Sequence, residues 1–141
     1  MKRFLAGLAL VACSACSGGS SGAAPTSPST PPLPPTSETF TGTVLVGGSD
    51  SHPFVVKLSN GLVTANLTAA GPPPTVAMGL GIGTISNGIC SVLSGGAVIA
   101  TASTTAQLTG TNFQNGTYCV QVFDVGNQSA AVTYSVTVTH Y

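Results

Sequence analysis

From Thr39 to Tyr141, apolar and small polar residues alternate with a period of two, and Gly, Pro or Asn interrupts the alternation about every 8–12 residues. Successive side chains of a strand point to opposite faces, so this pattern suits strands that bury one side. No segment keeps a helical period over three turns. Many short strands punctuated in this way predict an all-β antiparallel β-sandwich.

Phe40, Val44 and Val46 mark a first strand, which Gly47-Gly48-Ser49-Asp50 ends. Phe54, Val56 and Leu58 mark a second, running into Asn60-Gly61. Asn-Gly between two alternating runs predicts a hairpin, because a type I′ turn needs positive φ at both central positions. Val63, Ala65, Leu67 and Ala69 form the returning strand, and Gly71-Pro72-Pro73-Pro74 forces an irregular connection. In Val76–Ile85, Met78, Leu80 and Ile82 fall on one face and Gly79, Gly81 and Gly83 on the other. Strand glycines mark a bulge or the close approach of another backbone. Asn87-Gly88 turns the chain into Ile89–Leu93, and Gly95-Gly96 turns it again into Ala97–Thr101. A short strand is expected around Ala106-Gln107-Leu108. The clearest strands come last: Tyr118, Val120 and Val122, then Val132, Tyr134, Val136 and Val138, joined as a hairpin through Asp124–Ala130.

This region carries almost no charge: Asp50, Lys57 and Asp124 are its only ionic side chains. One lysine cannot supply the electrostatic footprint of a nucleic-acid binder. No polybasic patch exists for anionic lipid. No apolar stretch reaches the roughly 20 residues that a membrane helix needs.

The N-terminus reads differently. Lys2 and Arg3 precede the short apolar run Phe4–Ala12, the build of an export signal. Leu10-Val11-Ala12-Cys13 resembles the lipobox of bacterial lipoproteins. That resemblance makes residues 1–12 a signal peptide and Cys13 the lipidated first residue of the mature chain. The competing reading is an ordinary signal cut near Ala15 or Ser17, which leaves a soluble secreted product. Leu10 stands where the lipobox needs a branched apolar residue and favours the lipoprotein. Ser14 after Cys13, rather than Asp, resembles lipoproteins sorted to an outer membrane. Residues 13–38 form a linker, Ser/Gly-rich and then Pro-rich, with too little apolar content to build a core. The domain is then 39–141.

Cys13 and Cys16 belong to the leader region, which leaves Cys90 and Cys119 in the domain. In an exported chain one Cys90–Cys119 bridge is expected, the alternative being two buried free thiols. Cys119 alternates with Tyr118 and Val120, so a bridge lies on the outer face if those two face the core.

Gly116-Thr117-Tyr118-Cys119-Val120-Gln121-Val122-Phe123-Asp124, followed by Val132-Thr133-Tyr134-Ser135-Val136-Thr137-Val138, resembles the end of bacterial pre-peptidase C-terminal domains. Phe40-Thr41-Gly42 resembles their opening. The resemblance implies a non-catalytic, jelly-roll-like sandwich, usually appended to secreted enzymes. Some relatives bind collagen or polysaccharide, and some bind calcium. Calcium prefers several carboxylates, and this domain offers two, so calcium is not expected here.

Asp50-Ser51-His52-Pro53 holds the residue types of a hydrolytic triad, but neighbours in sequence do not converge as a nucleophile and base must. It reads as a turn. Asp124 and His140 are expected at opposite ends of the last strand pair, with His140 a solvated terminal residue. His52, His140, Cys90 and Cys119 show no zinc spacing, so no metal or other cofactor is expected. The chain has no Trp. Tyr118 and Tyr134 are expected in the core, and Phe113, Phe123 and Tyr141 read as packing residues. The reading that follows is a non-catalytic lipoprotein, held to a membrane by its anchor, whose sandwich binds a glycan or an envelope protein. The alternative is a purely structural envelope component, and a secreted hydrolase is a distant third. With so few carboxylates, a thermal midpoint nearly flat between about pH 3 and pH 9 is expected.

Overall fold

The computed structural model describes residues 33–141. Cys13, the signal peptide and most of the linker lie outside the described residues. Eight strands follow in order: β1 (Thr36–Val44), β2 (Ser49–Val56), β3 (Gly61–Gly71), β4 (Met78–Ser86), β5 (Ile89–Ala100), β6 (Leu108–Phe113), β7 (Gly116–Phe123) and β8 (Val132–His140). β1 begins at Thr36, inside the stretch that composition assigns to the linker.

The strands form two four-stranded antiparallel sheets, ordered β1-β8-β3-β6 and β2-β7-β4-β5. This interleaving is the double Greek key of an eight-stranded jelly roll. The expected all-β sandwich is therefore present. Among the described residues no helix is long and apolar enough to cross a membrane.

The alternation in sequence becomes the two faces of each sheet. Val44, Val63, Ala65, Leu67, Val132, Val136 and Val138 of the first sheet meet Phe54, Val56, Met78, Leu80, Ile82, Val120 and Val122 of the second in one core. Each of the Val, Leu, Ile, Phe and Met side chains among them stabilises by roughly 1.5–3 kcal/mol relative to exposure. Tyr134 is buried in this core and Tyr118 packs against it, as expected. Phe113 is buried there too.

The two predicted hairpins at Asn60-Gly61 and Asp124–Ala130 do not exist. β2 pairs with β7, while β3 pairs with β6 and β8. β7 and β8 lie in different sheets. Each turn is instead an arch from one layer to the other. Asn60 takes positive φ but Gly61 does not, so no type I′ turn forms. A turn signal reports that the chain reverses. It does not report whether the strands then meet edge to edge or face to face. Asn87-Gly88 is the true hairpin turn, with positive φ at both residues and β4 paired to β5.

Gly95-Gly96 does not turn the chain back, contrary to expectation. β5 runs through it, and the extra residues bulge out between the pairs Gly81↔Ala97 and Gly83↔Val92. Asp50–Pro53 is also not a turn but part of β2. β2 is an edge strand, where Pro53 costs little because an outer N–H need not be paired. Val46 lies in the β1–β2 connection and is exposed rather than buried.

The glycines of β4 have a purpose that the sequence only hints at. Met78, Leu80 and Ile82 point into the core, so Gly79, Gly81 and Gly83 face outward. A Cβ on Gly79 would enter the Phe123 ring, and one on Gly83 would meet the Ser91 carbonyl. A Cβ on Gly81 would press on Val92. The bare backbone of β4 thus lets Phe123 and the start of β5 lie close over its outer side. Cys90 and Cys119 are bonded there, 5.9 Å apart at Cα. Because Tyr118 and Val120 face inward, Cys119 faces outward, and β5 covers it to 1% exposure. The bridge is on the outer face, yet it is buried.

Candidate functional site

Three clusters hold the carboxylate and imidazole side chains of the described residues. The first lies where edge strands β1 and β2 approach. Asp50 and His52 are two apart on β2 and share its inner side, while Ser51 points outward and is exposed. Tyr134 of β8 reaches across and donates its hydroxyl proton to Asp50 Oδ2 at 2.8 Å. His52 Nε2 is 2.8 Å from the same hydroxyl. The His52 ring stacks on Phe40, with centroids 5.0 Å apart and planes 7° from parallel. Gly42 pairs with Tyr134 and leaves the room this requires: a Cβ there would strike the Asp50 carboxylate and the Tyr134 hydroxyl. The serine is therefore separated from the acid and the imidazole, which tie the two sheets together.

The second cluster is at Asp124. Its Oδ2 accepts from Gly47 N–H at 2.7 Å, and its Oδ1 accepts from the N–H groups of Gly126, Asn127 and Gln128. One carboxylate thus holds the β1–β2 and β7–β8 connections together. The third is at the other end of the sandwich. His140 is 2% exposed, bonds Glu38 Oε1 through Nε2 at 2.8 Å and packs beside Phe54. It was expected to be a solvated terminal residue. It is buried because the alternation of β8 continues one step of two residues past Val138 and turns His140 inward. Asp124 and His140 stand at opposite ends, as expected, although β7 and β8 lie in different sheets and form no hairpin. Among the described residues no group of three His, Cys, Asp or Glu side chains gathers as metal ligands would.

These clusters set the pH range of the fold. The Gly47 N–H is the main influence holding the Asp124 carboxyl below its usual value of 3.8, and the N–H groups of the β7–β8 loop add to it against some desolvation. Its stabilisation is complete above about pH 4 and is lost as pH falls through the lowered value. Burial, then the Asp50 hydrogen bond and charge, push the Tyr134 phenol well above its usual 10.0. That stabilisation is complete below about pH 10 and is lost as pH rises further. The thermal midpoint is therefore expected to be level from about pH 4 to pH 9 and to fall on both sides. Melting curves in matched buffers check this. An unchanged midpoint at pH 2.5 would show that Asp124 contributes nothing. The acid edge replaces the flat profile to pH 3 that composition alone suggests.

The outer side of the β1-β8-β3-β6 sheet is of another kind. Val44 of β1 and Val132, Tyr134, Val136 and Val138 of β8 use the inner side, which leaves Ser37, Thr39, Thr41 and Thr43 of β1 facing out beside Thr139, Thr137, Ser135 and Thr133 of β8. The strands pair over nine residues with no irregularity, so these hydroxyls stand in four in-register ranks. Ser37 and Thr139 bond at 2.8 Å, and Thr39 and Thr137 at 2.9 Å. Register extends the first rank through Thr64 to Thr109 and the second to Asn66. Near the last ranks β3 bulges between Leu67 and Ala69, and an open depression of about 450 Å³ lies between Ala69, Gly71, Thr133 and Ser135. None of Glu38, Asp50, Lys57 or Asp124 belongs to this side. The sequence shows the Thr alternation plainly, but only the pairing of the first strand with the last reveals the array.

No family model matches the chain, and no curated protein matches it either. Among solved structures, it is similar to the crystal structure of Aeromonas hydrophila PliG, a periplasmic lysozyme inhibitor of g-type lysozyme. That match has 17% identity and a TM-score of 0.48, over 74% of this chain and 86% of that one. It is also similar to Salmonella Typhimurium PliG, an inhibitor of the same class. There the identity is 16% and the TM-score 0.44, over 74% of this chain and 87% of that one.

Proposed function

We propose that this chain is a non-catalytic cell-envelope lipoprotein, anchored through Cys13, whose jelly roll is a binding module for a glycan or an envelope protein. The observation that carries the binding reading is the uncharged hydroxyl face of β1 and β8. The reactive side chains support a non-catalytic role, because each already has a structural task. Asp50 and His52 hold Tyr134, Asp124 holds two loops, His140 holds Glu38, and the domain cysteines are bonded. Gly116-Thr117-Tyr118 and the Tyr134 strand support kinship with pre-peptidase C-terminal domains. Leu10-Val11-Ala12-Cys13 supports the anchor, and Ser14 supports an outer-membrane address.

Changing Cys13→Ala is expected to move the protein from the membrane fraction to the soluble fraction of fractionated cells. A variant that still sediments with membranes sinks the anchor. The binding module is tested by incubating the mature chain with isolated envelope fractions, polysaccharide and protein assayed separately. Retention on neither removes that reading and favours a purely structural component.

A further inference from the structure

We propose that the outer face of β1 and β8 is an ice-binding surface. The inference rests on reading this face as a binding surface, gives it ice in place of a glycan or an envelope protein as its occupant, and does not depend on the anchor. Its basis is the two-dimensional regularity of the face. Adjacent strands lie about 4.8 Å apart, and alternate residues of a strand recur about every 6.8 Å. The four ranks of Thr and Ser therefore form a lattice in two directions. A flexible chain or a folded protein partner does not need that repeat. A crystalline partner does, and ice offers oxygens at a spacing close to the across-strand repeat.

The chemistry points the same way. A hydroxyl both donates and accepts, as does each water of an ice surface. In the bonded pairs Ser37–Thr139 and Thr39–Thr137, one proton and several lone pairs stay available. The threonine methyls between them give apolar contact without charge. An ionic partner would find no countercharge on this face, and a sugar ring would find no aromatic platform. Strand twist sets the width of the site. Neighbouring strands rotate by about 20–25°, which four strands would multiply, so the lattice is confined to the one bulge-free pair.

The test uses the whole secreted Cys13→Ala chain and a slowly growing ice front. The chain is expected to be enriched in the ice over the remaining liquid and to slow recrystallisation of a frozen sucrose film. Thr41→Lys, on the exposed edge strand, should lose both effects. Thr43→Lys on the next rank should do the same, which guards against a folding defect in either variant. Thr117→Lys, exposed on β7 of the other sheet, should keep both. Exclusion of the parent chain from ice overturns the proposal. So does a Thr41→Lys chain that still enters ice, or retention on microcrystalline cellulose or chitin without any effect on ice. Failure here leaves the envelope-fraction result untouched, so the two readings fall separately.

Discussion

A chain carrying Cys90→Ala and Cys119→Ala is expected to melt about 15–25 °C below the parent. The bridge joins residues 29 apart in sequence. Closing a loop of that length removes roughly 3–4 kcal/mol of chain entropy from the unfolded state. A domain of about 100 residues loses 4–8 °C per kcal/mol. Position adds to the loss. The bridge fixes the start of β5 over the glycines of β4, on the outer side, where Val92 and Cys119 have no opposing sheet to hold them. Calorimetry on the parent and the double variant, each at neutral pH, checks the figure. A difference of less than about 5 °C would mean that β5 stays seated without the bridge.

The strands were legible from the sequence because each buries one face against the other sheet, and burial of one face writes a period of two. Phe54, Val56, Leu80, Val120 and Val136 all obey it. The pairing of strands was not legible. Asn60-Gly61 and Asp124–Ala130 carry the residues of tight turns, and a tight turn serves an arch between layers as well as a hairpin within one. The bridge was legible because compartment and counting leave Cys90 and Cys119 only each other. The Asp50, His52 and Tyr134 cluster was half legible. Asp50 and His52 stand out in the sequence as reactive types, but their partner lies 82 residues beyond His52. The trace it leaves is Gly42, a gap in an alternating strand that reads as a simple interruption until Tyr134 is placed beside it. The hydroxyl array needs the same long-range fact, that the first strand lies against the last.

Gly83→Ala is expected to cost about 1–3 kcal/mol and to lower the melting temperature by roughly 5–20 °C. Alanine normally suits a strand better than glycine, so the sign itself is informative. The added methyl would point outward from β4 into the Ser91 carbonyl and the backbone nitrogen of Val92. Both are backbone atoms, so no side-chain rotation relieves the clash, and the start of β5 has to lift. Cys90, the neighbour of Ser91, is bonded to Cys119 and resists that movement. The two effects should therefore be coupled: without the bridge β5 is free to lift, and the cost of Gly83→Ala should shrink by at least about 0.5 kcal/mol. Gly116→Ala is the control, since its methyl would meet only the edge of Tyr118 at an ordinary 3.8 Å. It should change stability little, or raise it slightly by restricting the unfolded chain. Denaturant curves for Gly83→Ala, the bridge-free chain and their combination give all three terms. Full additivity would show that the clash is absorbed within β4, and a neutral Gly83→Ala would show that β5 does not lie on β4 as described.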